Sequence, residues 1–259
     1  MRTGFAVCSP GEHLTDTDDR QSVAGSRASI LDRIEAAAAR SGHDAASIQV
    51  VAVTKTVPPG RILEAIRAGF TTLGENRVQE RQAKVAGIDA VSTWPAGEQP
   101  RWHLIGPLQS NKARRAVELF DVIETIDSLE LAQRLDRIAA ELRPEGRLQV
   151  LLQVNVDADA AKAGFDPADL ERHLAEVLAL PALSVEGLMT VGRVVAEPEL
   201  ARPTFVALRE LSERLRARDS RLGPALSMGM TDDFEVAVEE GATLVRIGRA
   251  IFGARAALG

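Results

Sequence analysis

Residues 48–60 read Ile48-Gln49-Val50-Val51-Ala52-Val53-Thr54-Lys55-Thr56-Val57-Pro58-Pro59-Gly60. The β-branched and apolar run predicts a buried strand over 48–54, and the segment from Pro58 to Ala68 has helical period. The turn between them decides the architecture. An open doubly wound sheet would carry a Gly-x-Gly-x-x-Gly phosphate fingerprint in its first strand-to-helix turn, and Thr54 to Gly60 contains none.

Outward from this unit the same alternation repeats. Apolar runs at 70–73, 102–105, 122–126, 148–156, 185–191, 225–228 and 244–247 precede helix-period segments at 75–85, 110–120, 129–142, 167–180, 201–217, 231–240 and 249–256. A leading helix starts at Ser26, with Ile30, Leu31, Ile34 and Ala38 on one face, and ends near Ser41-Gly42. Eight strand–helix units with short connections imply parallel strands and right-handed crossovers. The expected fold is α/β: a single (β/α)8 TIM-type barrel over 26–259, preceded by an N-terminal helix. Residues 1–25, with the acidic run Thr15-Asp16-Thr17-Asp18-Asp19, read as a disordered tail, and 86–99, with Gly87, Pro95 and Gly97, as a surface insertion.

Composition narrows the chemistry. The length of 259 residues is close to the roughly 250 typical of one such barrel. A net charge of −6 gives no basic excess for nucleic acid, and no apolar stretch approaches the roughly 18 residues of a membrane span. Cys8 is the only cysteine and tyrosine is absent, which removes phenol acid/base chemistry and intramolecular disulfides and suits a reducing cytoplasm. The only lysines are Lys55, Lys84, Lys112 and Lys162, so amine chemistry has four candidates.

In a barrel, reactive groups sit where strands end and the following loops begin. Lys55 holds that place on the first strand. A lysine partly desolvated in a barrel mouth loses some preference for its charged form, and the neutral amine can attack an aldehyde. The alternative is a strand-end lysine reaching solvent. Lys84, late in a helix, reads as a solvated side chain; Lys112 and Lys162, near the starts of helices three and five, read as rim charges.

The ends of strands seven and eight carry a second signal. Ser227-Met228-Gly229-Met230-Thr231 and Arg246-Ile247-Gly248-Arg249 bring glycines, hydroxyls and guanidinium groups to the two positions where such barrels often hold phosphate. Ordinary turn chemistry, with Thr231 capping the next helix, is the other reading. Asp232 and Asp233 would compete with an anion for the same helix dipole. His13, His43, His103 and His173 have no metal spacing; His103, between apolar neighbours, reads as a hydrogen-bonded barrel histidine. Asn76 either meets a ligand or starts a helix.

Several segments, taken in order, resemble the pyridoxal phosphate homeostasis protein family of the YggS/PROSC type, related to the alanine racemase N-terminal barrel. They are Val53-Thr54-Lys55, Leu73 through Glu80, Trp102 through Lys112, Gly187-Leu188-Met189-Thr190, Leu226 through Met230, and Val245 through Gly248 with Ile251-Phe252-Gly253. The resemblance spans about Ser26 to Arg255. It implies a fold type III pyridoxal 5′-phosphate (PLP) barrel without the C-terminal β domain. It also implies a Schiff base on Lys55, and Ser227, Gly229, Gly248 and Arg249 around the phosphate. Arg246 is implied near the ring nitrogen or the phosphate, and Asn76 near the ring face or its hydroxyl. Thr231 stands where the family commonly has Ser, and the loop 155–164 lacks the Glu usual before its Lys162.

The function so implied is a cytoplasmic PLP carrier and buffer in vitamin B6 and amino-acid homeostasis, without an established turnover of its own, with PLP-dependent apoenzymes as recipients. The rival is a racemase or decarboxylase on the same cofactor. Those relatives add a β domain, from which the racemase takes a tyrosine base; this sequence has no tyrosine. A third class, a barrel acting on a phosphorylated metabolite, would not need an amine at Lys55.

Overall fold

The computed structural model describes residues 22–88, 99–193 and 195–253. Eight parallel strands pair in chain order: β1 (Gln49–Val53), β2 (Thr72–Glu75), β3 (Arg101–Leu104), β4 (Val122–Ile126), β5 (Leu148–Gln153), β6 (Leu183–Met189), β7 (Ala225–Met230) and β8 (Leu244–Ile247). β8 returns to β1, with Val51 beside Arg246 and Ala52 beside Ile247, and closes the barrel. The expected fold holds. The helices are α1 (Val23–Ser41), α2 (Pro59–Arg67), α3 (Val78–Ile88), α4 (Ala113–Leu119), α5 (Leu129–Leu142), α6 (Pro167–Leu178), α7 (Arg202–Arg218), α8 (Phe234–Glu239) and α9 (Arg249–Phe252).

Local chemistry accounts for several boundaries. Ser128 caps α5 by accepting from Leu131 N, and Asp166 caps α6 ahead of Pro167 at its first position. Leu131, Ala132, Leu135 and Ala139 then bury one face of α5 against the sheet. α1 starts at Val23, earlier than Ser26, because the Ser22 hydroxyl accepts from Gly25 N and Val23 is itself buried. The predicted tail is therefore helical from residue 23; residues 1–21, and 89–98 of the predicted insertion, lie outside the described residues.

The second unit departs most from expectation. Gly74-Glu75 reads as the turn opening a helix, yet both residues belong to β2 and the helix starts only at Val78. A Cβ on Gly74 would lie 2.8 Å from Val51 Cγ1 and 3.0 Å from Ile105 Cδ1. Glycine is needed there for close packing inside the barrel, so the turn signal is misleading.

That shift carries Glu75 into the protein interior, where its side chain is wholly buried. Its Oε1 accepts from Thr54 Oγ1 at 2.6 Å and from Lys84 Nζ at 2.6 Å, and the same ammonium donates to Thr54 O at 2.7 Å. Lys84 is thus a correction to the sequence reading: it is buried, because its long stem spans from α3 to the end of β1 and finds two strong acceptors there. Burial pushes the Glu75 carboxyl up to about 7, against the pull of Lys84 and Thr54, with Glu80 adding to the rise.

The folded-state value exceeds the 4.5 of an unperturbed glutamate. Glu75 therefore contributes its full stability below that lower value and loses it as pH rises toward 7. The thermal midpoint of the wild type should fall relative to Glu75→Gln between about pH 5 and pH 8. Calorimetry of both proteins across that range checks this, and a difference that is flat or grows the other way contradicts it.

Candidate functional site

Lys55 follows directly on β1 at the carboxyl end of the barrel, half-buried and next to Thr56, whose φ of 63° turns the chain out of the strand. The lysine is held from below, since the carbonyl of the preceding Thr54 is the one that Lys84 binds. Gly248 lies alongside: a Cβ on it would sit 3.4 Å from Val53 Cβ. The first and last strands thus bring Lys55 and the β8–α9 turn together at one point of the mouth.

Arg246 of β8 shares the inner face of its strand with Leu244 and is only 4% exposed. Its two terminal nitrogens donate to Ser227 Oγ at 2.6 Å and to Thr190 O at 2.7 Å. Burial draws the guanidinium below its ordinary value, opposed by Glu124 and Asp233. Ser227 donates in turn to Glu124 Oε2 at 2.5 Å, and the other carboxylate oxygen lies 2.6 Å from His103 Nδ1. Burial would raise Glu124, but His103, Arg246 and Ser227 together hold its carboxyl below the usual value. His103 is hydrogen-bonded within the barrel, as its alternating neighbours predict.

The residues expected around a phosphate divide into two groups. The Ser227 hydroxyl points into the barrel and is taken up by Glu124 and Arg246, which leaves its proton no other acceptor. Gly229 has φ 86°, and a Cβ there would come within 2.5 Å of Ala237 Cβ, so the approach of α8 is sufficient reason for it. At the surface, Arg249 opens α9 and pairs with Asp232, tying the β7–α8 and β8–α9 turns to each other. Asp233 turns back to accept from Met230 N at 2.6 Å, so the first helical residue is Phe234 and Thr231 is not the cap.

Asn76 lies in the β2–α3 turn, half-buried, with the backbone of Gly106 pressed against it; a Cβ on Gly106 would be 2.3 Å from Asn76 O. Asn76, Arg77, Gln79 and Lys112 line one groove on this side of the mouth. Lys162, in the β5–α6 loop, donates to Val191 O at 3.1 Å and approaches Asp157 at 3.8 Å. Among the described residues no cluster of three His, Cys, Asp or Glu has metal-binding geometry, and no helix is long and apolar enough to cross a membrane. Glu124 and Glu75 escaped the sequence reading; the signal was there, an acid inside an apolar strand run such as Val122-Ile123-Glu124-Thr125-Ile126.

Residues 26–256 match the model of the alanine racemase N-terminal domain. The pyridoxal phosphate homeostasis protein of Pseudomonas aeruginosa is 42% identical over 236 residues, covering 90% of this chain and 96% of the relative. Its counterpart in Escherichia coli K12 is 42% identical over 238 residues, covering 90% and 97%. The PipY protein of Synechococcus elongatus PCC7942, solved with PLP bound, superposes with a TM-score of 0.77 at 40% identity, over 89% of this chain and 100% of PipY. Alanine racemase of Clostridium difficile 630 shares the fold alone, with a TM-score of 0.66 at 14% identity, over 92% of this chain and 58% of the racemase. The barrel, the order of its motifs and these likenesses agree: the chain belongs to the pyridoxal phosphate homeostasis protein family, built on the alanine racemase N-terminal domain.

Proposed function

We propose that this protein binds PLP at the mouth of the barrel, with Lys55 as the attachment point, and holds it as a carrier and buffer in the cytoplasm. The observation that carries the reading is the convergence of one half-buried amine, Lys55, with the side-chain-free Gly248 beside the end of β1 and the fixed Arg246 guanidinium below. The residues fit such a group. PLP supplies an aldehyde carbon that condenses with an amine, with loss of water, and a phosphate that needs donors.

Lys55 supplies the amine, on a strand end that orients it and removes part of its water. Arg246 donates toward the ring, its two terminal nitrogens already anchored and Nε outside that network. For the phosphate, Gly248 and Arg249 would offer the leading N–H groups of the β8–α9 turn, with Gly229 near the end of β7 and Thr231 on the β7–α8 turn beside them. Ser227 belongs to this set through Arg246 rather than through its own hydroxyl. Asn76 bounds the ring on the β2 side.

The carrier reading is favoured over a racemase on chemical grounds. A guanidinium facing the ring nitrogen disfavours its protonation and so weakens the electron sink that carbanion chemistry needs. Inversion also needs a proton donor opposite Lys55. Tyrosine is absent, and His103 is buried in the barrel with Glu124. Release of PLP to apoenzymes then requires only reversal of the attachment.

Three outcomes are expected. Borohydride treatment of protein incubated with PLP, followed by peptide mapping, should find the pyridoxyl group on Lys55; finding it chiefly on Lys84, Lys112 or Lys162 contradicts the assignment. Pyridoxal without phosphate should bind at least about ten-fold more weakly than PLP, since each charge-assisted contact contributes about 1.5–3 kcal/mol and 1.4 kcal/mol is a factor of ten. Equal affinities by fluorescence titration would remove the phosphate site. Protein loaded with PLP and incubated with L-alanine in deuterated water should stay far below the roughly 10 s⁻¹ median turnover of enzymes in racemisation. Lys55-dependent inversion near that rate would make it an enzyme.

A further inference from the structure

The interior of a parallel barrel is normally filled by Val, Ile and Leu. Here Val51, Val53, Ile105 and Leu244 provide such a cluster, but a continuous polar chain shares the buried interior with it, Arg246 standing beside Val51 in the register. It runs from His103 on β3 to Glu124 on β4, to Ser227 on β7, to Arg246 on β8, and ends at the carbonyl of Thr190 after β6. The four side chains are at most 4% exposed. Burying two opposite charges this way costs more desolvation than their attraction returns unless every link is made, so an apolar filling would serve stability at least as well. The arrangement needs a reason beyond packing.

Arg246 is the one member placed to meet a ligand, since the PLP reading gives it the ring. A guanidinium offers five donors in a rigid plane, and its useful orientation is set by which of them are already committed. Ser227 commits one terminal nitrogen, but a serine hydroxyl can rotate. Its direction is set only because Glu124 Oε2 takes its proton at 2.5 Å, which turns a lone pair toward Arg246. Glu124 is in turn fixed by His103 at its other oxygen. Among the described residues His103 Nε2 has no hydrogen-bond partner, and it is buried.

We infer that Glu124 is a positioning residue for the cofactor: braced by the Nδ1–H of His103, it orients the Ser227 hydroxyl and through it locks Arg246 as a fixed cation aimed at the ring nitrogen. This rests on the PLP reading of the mouth. Four strands thereby hold one donor in place, and Ser227 acts as a connector.

The test is a thermodynamic cycle read by PLP affinity and by the visible absorption of the bound cofactor, using the full chain. Glu124→Gln keeps the shape but loses the charge, and Ser227→Ala cuts the link while leaving Glu124 and His103 paired. Each should weaken PLP binding by about ten-fold and move the absorption band in the direction that Arg246→Ala moves it. Glu124→Gln combined with Arg246→Ala should bind no more weakly than Arg246→Ala alone, because coupled residues are not additive. The loss from either single variant should vanish with the 1-deaza analogue of PLP, which has no ring nitrogen to meet Arg246. Additive losses, or equal losses with the analogue, would reduce Glu124 to a structural residue and overturn the inference. Where Glu124→Gln fails to fold, Ser227→Ala alone decides through the same analogue comparison. Wild-type protein that takes up no PLP overturns the mouth assignment as well, whereas wild-type binding with unaffected variants overturns this inference alone.

Discussion

A positive charge inside a closed barrel has no water to stabilise it, and Arg246 is such a charge. Its solvation must come from fixed protein groups, and these are contributed by strands far apart in sequence: Glu124 on β4, Ser227 on β7 and the Thr190 carbonyl after β6. The constraint reaches further. A carboxylate recruited to balance the guanidinium must itself be satisfied, which brings in His103 from β3. One buried cation thus dictates the inner residues of four strands, and the mouth above inherits a donor that cannot reorient freely.

Below Lys55 the same physics works on a smaller scale. Lys84 donates to both Glu75 and the Thr54 carbonyl out of water, and the Thr54 hydroxyl donates to Glu75, so the last residue of buried chain before Lys55 is held from two sides. Lys55 itself, the next residue along the chain, is half-buried. The proposed attachment at Lys55 would draw on both a defined origin for the side chain and access for water. Lys84, buried against its two acceptors, lacks that access.

The outer parts of the site are tied more loosely. Arg249 and Asp232 join the two turns expected to hold a phosphate, and both are exposed. An anion arriving there competes with Asp232 for the guanidinium, and surface pairs of this kind contribute little to stability, so the exchange is inexpensive. The candidate site therefore grades from a locked interior to a replaceable rim.

Much was legible in the sequence because it depends on period and position. Alternating strand and helix runs, a first turn without glycine fingerprint, Lys55 at a strand end and glycines after strands seven and eight suffice for the barrel, its functional end and the family. Gly74, however, is a turn signal by composition and a strand residue in fact, because its missing Cβ makes room for Val51 and Ile105. Lys84 looks solvated along its helix, and only the packing of α3 against the end of β1 reveals its two acceptors. Ser227 stands out in the sequence beside Gly229 at the end of a strand, but the direction of its hydroxyl is decided by an acid 103 positions away. Secondary structure follows from neighbours along the chain; the partners of buried charges follow from which strands the closed barrel sets face to face, and that only the tertiary structure decides.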